Sequence, residues 1–172
     1  MTNQEWISLI EEKREELQDA ILDAAFTSYE TGLVTTVYLY ADGDVVISED
    51  VGGNTIAGEV YTGDAILIAS FNNDPTVISD ELDRMVGEDA IRFMYDYGMS
   101  LREIKDFYEW YHTEYDDDDP PSVFYLSEYT PDLYEKMFLD TITEYVRDID
   151  PDEYIDEVIE SLETELGENF KV

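Results

Sequence analysis

The stretch from Glu15 to Asp83 contains no Lys or Arg, and this feature limits the fold more than any other. Over 172 residues, 44 Asp and Glu face nine Lys and Arg, giving a formal net charge of -35. Mutual repulsion destabilises a compact state, so the carboxylates have to stay at the surface, where solvent screens them. Hydrophobic residues make up 44% of the chain and aromatics 13%, unlike an acidic disordered segment. We therefore expect an aromatic and aliphatic core beneath an acidic surface.

The first predicted element is a helix that begins at a capping box. Thr2 is the N-cap, and Glu5 lies three residues further on, where its side chain can reach back to the N-cap backbone. Apolar residues then recur at helical spacing as far as about Phe26. The predicted core stripe consists of Trp6, Ile10, Leu17, Ile21 and Ala24.

The pattern then changes to that of strands. Residues 33–40 are rich in Val, Thr and Tyr, and Asp42 followed by Gly43 is a hairpin signal ahead of residues 45–48. Residues 65–71 form a mostly apolar run, typical of a buried strand. These segments predict a small antiparallel meander of three to four strands.

Helical spacing returns after the last strand. Helices are predicted over residues 79–85, 88–97 and 101–115. Ser100 and Glu103 form a second capping box at the start of the third. The inner stripe of that helix is predicted as Leu101, Ile104, Tyr108, Tyr111 and Tyr115.

A short acidic segment follows. Its members Asp116, Asp117, Asp118 and Asp119 repel one another, and two prolines come directly after them. Because proline lacks a backbone donor and fixes φ, regular structure is excluded here, and a rigid-ended loop is predicted. Residues 122–126 are predicted as a short strand.

Two further helices complete the predicted fold. Pro131 opens one that ends near Ile149, and Pro151 opens another that ends at Leu166. No internal repeat and no long linker is visible. Residues 1–172 are therefore expected to form one α+β domain, with an N-terminal helix, the meander and several C-terminal helices.

Residues able to carry out catalysis are scarce. The chain has no Cys and a single His, His112, with a tyrosine and a threonine beside it. A histidine-based catalytic triad would depend on this one residue. Gly52, Gly53 and Asn54 lack the glycine spacing and the lysine of a phosphate-binding loop and are predicted as a turn. We expect a protein that is not an enzyme.

Carboxylate clusters raise the question of a metal site. Asp42 and Asp44 flank a glycine, and the aspartates at 116–119 are adjacent, but neither group matches the twelve-residue calcium loop. No metal and no cofactor is predicted, and weak binding of divalent cations stays open. A two-metal nuclease would also have to hold nucleic acid, which a surface of this charge repels.

No export or membrane signal is visible. A secretory signal needs a basic start and a long apolar run, whereas residues 1–10 contain Glu5 and Trp6. No apolar segment approaches the ~18 residues of a membrane span. The expected location is the cytoplasm, without membrane contact.

Carboxylates at helical spacing are the feature most informative about function. Asp140, Glu144 and Asp148 follow one another at i, i+4 and i+8, and a second set lies on the last helix. Like charges at i, i+4 cost roughly 0.2–0.5 kcal/mol per pair, so a helix face shaped only for stability would alternate signs. The carboxylates predicted to bind a partner are Asp106, Glu109, Glu114, Asp116, Asp117, Asp118, Asp119, Asp140, Glu144, Asp148, Asp152, Asp156, Glu160 and Glu163.

The charge density is comparable with that of DNA. Duplex DNA carries one charge per ~1.7 Å, so a charge of -35 corresponds to roughly 60 Å of duplex. A compact chain of 172 residues has a radius of gyration of only ~16 Å. Exposed aromatic residues beside the aspartate loop could stack on a partner's arginines. The aromatic residues in question are Tyr108, Trp110, Tyr111, Tyr115, Tyr125 and Tyr129.

The chain is small, extremely acidic, rich in aromatic residues and free of Cys, and it carries carboxylate stripes such as that from Asp152 to Glu163. In these properties it resembles the DNA-mimic inhibitors of phages and conjugative elements. These include anti-restriction proteins and some anti-CRISPR proteins. The resemblance is one of composition over the whole chain, without an aligned motif. It implies a non-catalytic inhibitor that acts in the host cytoplasm, occupies the basic DNA-binding groove of a host-defence nuclease and does not itself bind nucleic acid. A CRISPR effector is favoured over a restriction-modification enzyme.

Other interpretations stay open. A salt-adapted halophile protein of unrelated function would also be acidic and poor in lysine, although we would expect it to favour small residues over the many aromatics found here. An acidic chaperone for histones or other basic proteins would share the charge. A homodimer would extend the anionic track. Net charge alone does not separate these interpretations, and it is the patterning that favours a mimic.

Overall fold

A computed structural model describes residues 1–51, 54–57, 64–115 and 120–164. These ranges contain eight helices and one four-stranded antiparallel sheet, which confirms the predicted α+β class. The helices are α1 (Asn3–Glu12), α2 (Arg14–Thr31), α3 (Thr76–Glu88), α4 (Ala90–Asp96), α5 (Leu101–Glu114), α6 (Val123–Tyr129), α7 (Pro131–Arg147) and α8 (Pro151–Leu162). The strands are β1 (Val34–Tyr40), β2 (Val45–Val51), β3 (Asn54–Ala57) and β4 (Ala65–Phe71).

The chain forms two compact units. The first combines Met1–Pro75 with Tyr145–Val172, and the second is Thr76–Glu144. The first unit is discontinuous, because the chain leaves it after β4 and returns within α7. Whether the two units behave as one domain stays a prediction.

The sheet of the first unit has the strand order β3-β2-β1-β4. β1, β2 and β3 form an antiparallel meander, although β3 was not predicted as a strand. The predicted strand at 65–71, β4, does not continue the meander but pairs antiparallel with the other edge of β1. The β1–β2 hairpin turns at Gly43, whose φ of 95° requires glycine. The backbone N–H of Gly43 donates to the carbonyl of Tyr40 at 2.9 Å, and that of Tyr40 donates to Asp44 at 2.9 Å.

The N-terminal helix is interrupted once. The capping box is confirmed: the Thr2 hydroxyl accepts from the backbone N–H of Glu5 at 3.1 Å, and the Glu5 carboxylate accepts from that of Thr2 at 2.8 Å. α1 ends before Lys13, which departs from helical geometry at φ -98° and ψ 10°, and α2 continues to Thr31. The predicted core stripe is buried throughout. Its members are Trp6, Ile10, Leu17, Ile21 and Ala24.

The helices of the first unit pack against the sheet. The buried hydroxyl of Thr35 on β1 donates to the carbonyl of Ala24 on α2 at 2.5 Å. The ring of Phe71 on β4 lies 5.2 Å from that of Tyr154 on α8. The amide of Asn3 on α1 donates to the backbone carbonyl of Leu162 at the end of α8, 3.1 Å away. The last helix is therefore anchored to both the first helix and the edge strand.

The second unit is helical, and its α5 helix has a different inner face from the one predicted. Leu101 is 69% exposed, which is a correction, and Phe107, absent from the prediction, is fully buried beside Ile104 and Tyr111. Leu101 is the first residue of the helix, and helical side chains lean towards the N-terminus, so this one extends past the end of the packed surface. Phe107 lies one turn before Tyr111 on the same face.

The predicted strand at residues 122–126 is wrong. These residues enter α6, whose Val123 and Leu126 are buried one turn apart. The backbone N–H of Val123 donates to the carboxylate of Asp83 on α3 at 3.0 Å. This long-range contact satisfies an N-terminal donor of the helix, so tertiary packing decides against the β propensity of Val, Phe and Tyr.

Three other predictions concern residues at or beyond the edges of the described ranges. α8 ends at Leu162, four residues earlier than predicted, and residues 165–172 lie outside the described ranges. The predicted turn at Gly52 and Gly53 and the predicted aspartate loop at 116–119 also lie outside them, whereas Asn54, predicted in the same turn, is the first residue of β3.

Candidate partner-binding surface

The face of α8 that points away from the core carries only carboxylates among its charged groups. Buried Ile155, Val158 and Leu162 define its inner side. At 100° per residue, the exposed residues most nearly opposite them are Glu153, Glu157 and Glu160. Glu160 was predicted as a binding residue, whereas Glu153 and Glu157 were missed. Continuing the same helical projection from the buried positions would have found them.

The other predicted carboxylates of α8 lie on its flank and meet an arginine. Arg14 Nη1 lies 2.9 Å from Asp152 Oδ1, and Arg14 Nη2 lies 2.9 Å from Asp156 Oδ1. The same guanidinium contacts Glu11 through Nη2 at 2.8 Å and Nε at 3.1 Å. Gln18 Nε2 also donates to Asp152 Oδ1 at 2.8 Å. One arginine thus joins three carboxylates on α1 and α8.

The pKa values around Arg14 reflect this arrangement. The hydrogen bond from Arg14 holds the pKa of Glu11 below its usual value. Hydrogen bonds from Gln18 and then Arg14 lower the pKa of Asp152. The hydrogen bond to Glu11, followed by those to Asp156 and Asp152, raises the pKa of Arg14. Asp152 and Asp156 therefore have an internal counter-ion, while Glu160 and the exposed Glu163 form no ion pair within the described ranges.

α2 carries a second acidic face in the same unit. Its buried residues lie on one side, and five exposed carboxylates lie on the other. Those five are Glu15, Glu16, Asp19, Asp23 and Glu30. Lys13, just before the helix, approaches Glu16 at 3.8 Å. None of the five was predicted as a binding residue, although the absence of bases after Glu15 was visible in the sequence.

α2 and α8 meet at their N-terminal ends, where Arg14 and Gln18 contact Asp152 and Asp156. The far end of α8 lies against the start of α1. We call the carboxylates on the outer faces of α2 and α8 together the α2–α8 acidic surface. Its members are Glu15, Glu16, Asp19, Asp23, Glu30, Glu153, Glu157 and Glu160.

The predicted stripe on α7 is less uniform. Asp140 and Glu144 are exposed, and Asp148 is exposed just past the end of the helix. Helical projection places Lys136 and Arg147 on the same face as Asp140 and Glu144. The face therefore carries both signs of charge.

The predicted carboxylates of α5 are also mixed with bases. Asp106 and Glu109 are exposed beside Arg102 and Lys105, and Lys105 Nζ approaches Glu109 Oε1 at 3.9 Å. Glu114 is exposed at the end of the helix.

The residues that precede and follow the aspartates at 116–119 in the sequence are joined by an aromatic contact. The Tyr115 hydroxyl donates to Glu128 Oε2 at 2.5 Å, and the ring centroids of Tyr115 and Tyr125 lie 4.2 Å apart. The hydrogen bond to Glu128 raises the pKa of Tyr115 to about 12. Of the aromatics predicted as anchors, Tyr111 belongs to the core and Tyr129 is 36% exposed. The positions of Asp116, Asp117, Asp118 and Asp119 themselves are not described.

The described residues give little support for a metal site or for a catalytic histidine. They contain no group of three or more His, Asp or Glu side chains placed to hold a metal ion. The ring of His112 lies 5.5 Å from that of Tyr111 and 6.0 Å from that of Tyr108. No helix in the described parts of the chain has both the length and the apolar character needed to cross a bilayer.

Comparison with protein-family models, curated proteins and solved structures finds no match for this chain.

Proposed function

We propose that this chain is a non-catalytic DNA mimic that inhibits a host-defence nuclease by occupying its basic DNA-binding groove. The observation that supports this most directly is the α2–α8 acidic surface. Eight carboxylates project from two helices that meet at their N-terminal ends. Of the neighbouring bases, Arg14 is engaged on the flank between the helices, and Lys13 approaches only Glu16.

The spacing of these carboxylates suits a groove that binds phosphates. Glu153 and Glu157 are one helical turn apart, as are Glu15 and Asp19, which corresponds to ~6 Å along the helix axis. Phosphates of B-DNA repeat every ~3.4 Å of axis on each strand, so one helix face carries a little over half the linear charge density of one DNA strand. Such a surface would meet the lysines and arginines that normally bind the DNA backbone.

The contrast with α5 and α7 also favours selection for binding. Those helices combine carboxylates with bases such as Arg102 and Lys136, as a solvated helix face usually does. α2 and α8 keep like charges on their outer faces despite the repulsion between them. Because this arrangement lowers stability, binding to a partner of opposite charge is the simplest reason for these like charges to be retained.

The direct test is displacement of DNA from a purified nuclease. We expect the chain to abolish DNA binding by a guide-loaded CRISPR effector at stoichiometric concentration, with an affinity that falls steeply with added salt. A type I restriction enzyme is the second target to assay. If neither protein loses DNA, and a pull-down from host lysate recovers no nucleic-acid-binding protein, the proposal is wrong.

Matched charge variants locate the binding surface. Replacing Glu153, Glu157 and Glu160 by Gln should weaken inhibition roughly tenfold, at about 0.5 kcal/mol per charge. The control removes three exposed carboxylates of the second unit, Asp80→Asn, Asp96→Asn and Glu135→Gln, with the same change in net charge. Equal losses from both triples would show that net charge matters and the surface does not.

The aspartate loop is tested separately. Reversing the charges of Asp116, Asp117, Asp118 and Asp119 should reduce inhibition if the loop also contacts the partner. Unchanged inhibition would restrict the binding surface to the helices.

Salt-dependent unfolding and binding assays distinguish a DNA mimic from the two competing functions. A halophile protein would unfold at low salt and recover at molar salt, whereas a mimic has to remain folded at low salt, where its binding is tightest. An acidic chaperone would bind core histones as tightly as it binds any nuclease.

A further inference from the structure

A cavity of about 360 Å³ lies in the second unit, where the turn between α4 and α5 meets the turn between α6 and α7. Tyr97 and Met99 belong to the first turn, and Tyr129 precedes the second. Met99 is 3% exposed and Leu133 is half-buried, so part of the lining is apolar.

Two tyrosine rings in the lining are supported by other aromatic rings. The ring of Tyr97 lies 4.8 Å from that of Phe93, and the ring of Tyr129 lies 5.1 Å from that of Trp110. Tyr129 is nevertheless 36% exposed, so its ring is packed on one side and accessible on another. Rings held in this way can receive a ligand without a large loss of side-chain entropy.

The cavity is negatively charged. Glu103 and Asp132 are its charged lining residues, and both are exposed. At each of the two turns, the C-terminus of one helix, with its partial negative charge, lies beside the N-terminus of the next, with its partial positive charge. These partial charges largely cancel, so the two carboxylates determine the sign of the charge in the cavity. Burial raises the pKa of Tyr97, and the negative charges of Asp140 and Glu144 raise it further.

We propose that this cavity receives an arginine side chain of the basic partner. A guanidinium can stack on a tyrosine ring while it donates hydrogen bonds to a carboxylate, and its methylene stem fits an apolar wall. The compact, strongly hydrated ammonium of lysine uses the rings less well. This inference rests on the proposed function, because it names the point where the partner of that function would anchor.

The proposal is tested on the full chain with N-acetyl-arginine-methylamide as the probe, followed by NMR of the 15N-labelled protein. We expect saturable shifts at the backbone amides of Gly98, Met99 and Leu133. The lysine analogue should bind several-fold more weakly, and the neutral citrulline analogue should leave these signals unchanged. Shifts of equal size with citrulline, or shifts spread over every acidic helix without saturation at the cavity, would overturn the proposal.

Matched variants separate the cavity from general charge. Asp132→Asn should weaken arginine binding roughly tenfold, the value of one charge-assisted hydrogen bond. Glu135→Gln removes an exposed carboxylate of the same helix that does not line the cavity, and it should leave binding unchanged. Tyr129→Leu keeps apolar volume but removes the ring, so the preference for arginine over lysine should disappear. Binding that is the same in all three variants and in wild type would contradict the assignment.

Failure of this inference can be distinguished from failure of the proposed function. If the chain binds arginine at the cavity but leaves DNA on every nuclease tested, the mimic proposal is wrong and the cavity assignment stands. If the chain displaces DNA and Asp132→Asn matches wild type in both assays, the cavity assignment alone is wrong.

Discussion

Arg14 and Asp152 are 138 positions apart in the sequence, yet Nη1 of the arginine lies 2.9 Å from Oδ1 of the aspartate. With Glu11 and Asp156 on the same guanidinium, this contact joins the junction of α1 and α2 to the start of α8. In a chain with a net charge of -35, one arginine partly neutralises the flank between two acidic helices. On the outer faces of those helices, the one ion pair between described residues is the 3.8 Å approach of Lys13 to Glu16.

Replacement of Arg14 by Gln should destabilise the protein by about 1–2 kcal/mol, because three neighbouring carboxylates lose their shared cation in partly exposed surroundings. Lys13→Gln is the matched control. It removes the same charge one position away, where the ammonium lies 3.8 Å from Glu16, and it should cost less than about 0.5 kcal/mol. Urea unfolding measures both, and the cost of Arg14→Gln should shrink in 0.5 M salt. Equal costs for the two variants would mean that total charge, and not the contact, determines the effect.

The stability of wild type and of Arg14→Gln should also depend differently on pH. The pKa values of Glu11 and Asp152 are lowered in the folded state, so their contribution to stability is present above their ordinary pKa values of 4.5 and 3.8. That contribution disappears as the pH falls through the lowered folded-state values. We therefore expect the urea midpoints of wild type and Arg14→Gln to be well separated at pH 7 and to converge near pH 2–3. A gap that persists in acid would show that Arg14 stabilises the protein through packing.

Tyr115 provides a test at the opposite end of the pH range. Its pKa is raised from 10.0 to about 12 by the hydrogen bond to Glu128, so the folded state favours the neutral phenol. The stability gained from this bond is fully present below pH 10 and is lost as the pH rises to about 12. The advantage of wild type over Tyr115→Phe should therefore disappear across that interval. Tyr129→Phe removes a hydroxyl with no hydrogen bond to a described residue, so it should leave stability nearly unchanged at every pH.

Local patterns predicted those parts of the fold that depend on neighbours in sequence. Thr2 and Glu5 form the expected capping box, and the stripe from Trp6 to Ala24 is buried as expected. The hairpin at Gly43 follows from two residues of turn chemistry. Each of these features is determined within a few helical turns or one strand pair.

Features that depend on distant contacts could not be predicted in this way. The helix at Val123 is capped by Asp83, forty positions earlier, and the local β propensity gave no indication of it. The partners of Arg14 on α8 lie far along the sequence, so Asp152 and Asp156 were predicted as free to bind a partner. The acidic face of α2 was not predicted, although Glu15, Asp19 and Asp23 follow one another at i, i+4 and i+8.

Two apolar residues of α5 differ from what the helical spacing of the sequence predicted. Leu101 and Phe107 are both large and apolar, but the first is 69% exposed and the second is fully buried among aromatic rings. Phe107→Ala should therefore cost about 3–5 kcal/mol, because it leaves a cavity in the core of the second unit. Leu101→Ala should change the free energy of unfolding by less than about 0.5 kcal/mol, since little area is buried and Ala is a good helix former. Urea or thermal unfolding distinguishes the two variants. A large cost at Leu101 would mean that this side chain is covered in solution, as the spacing of apolar residues along α5 first predicted.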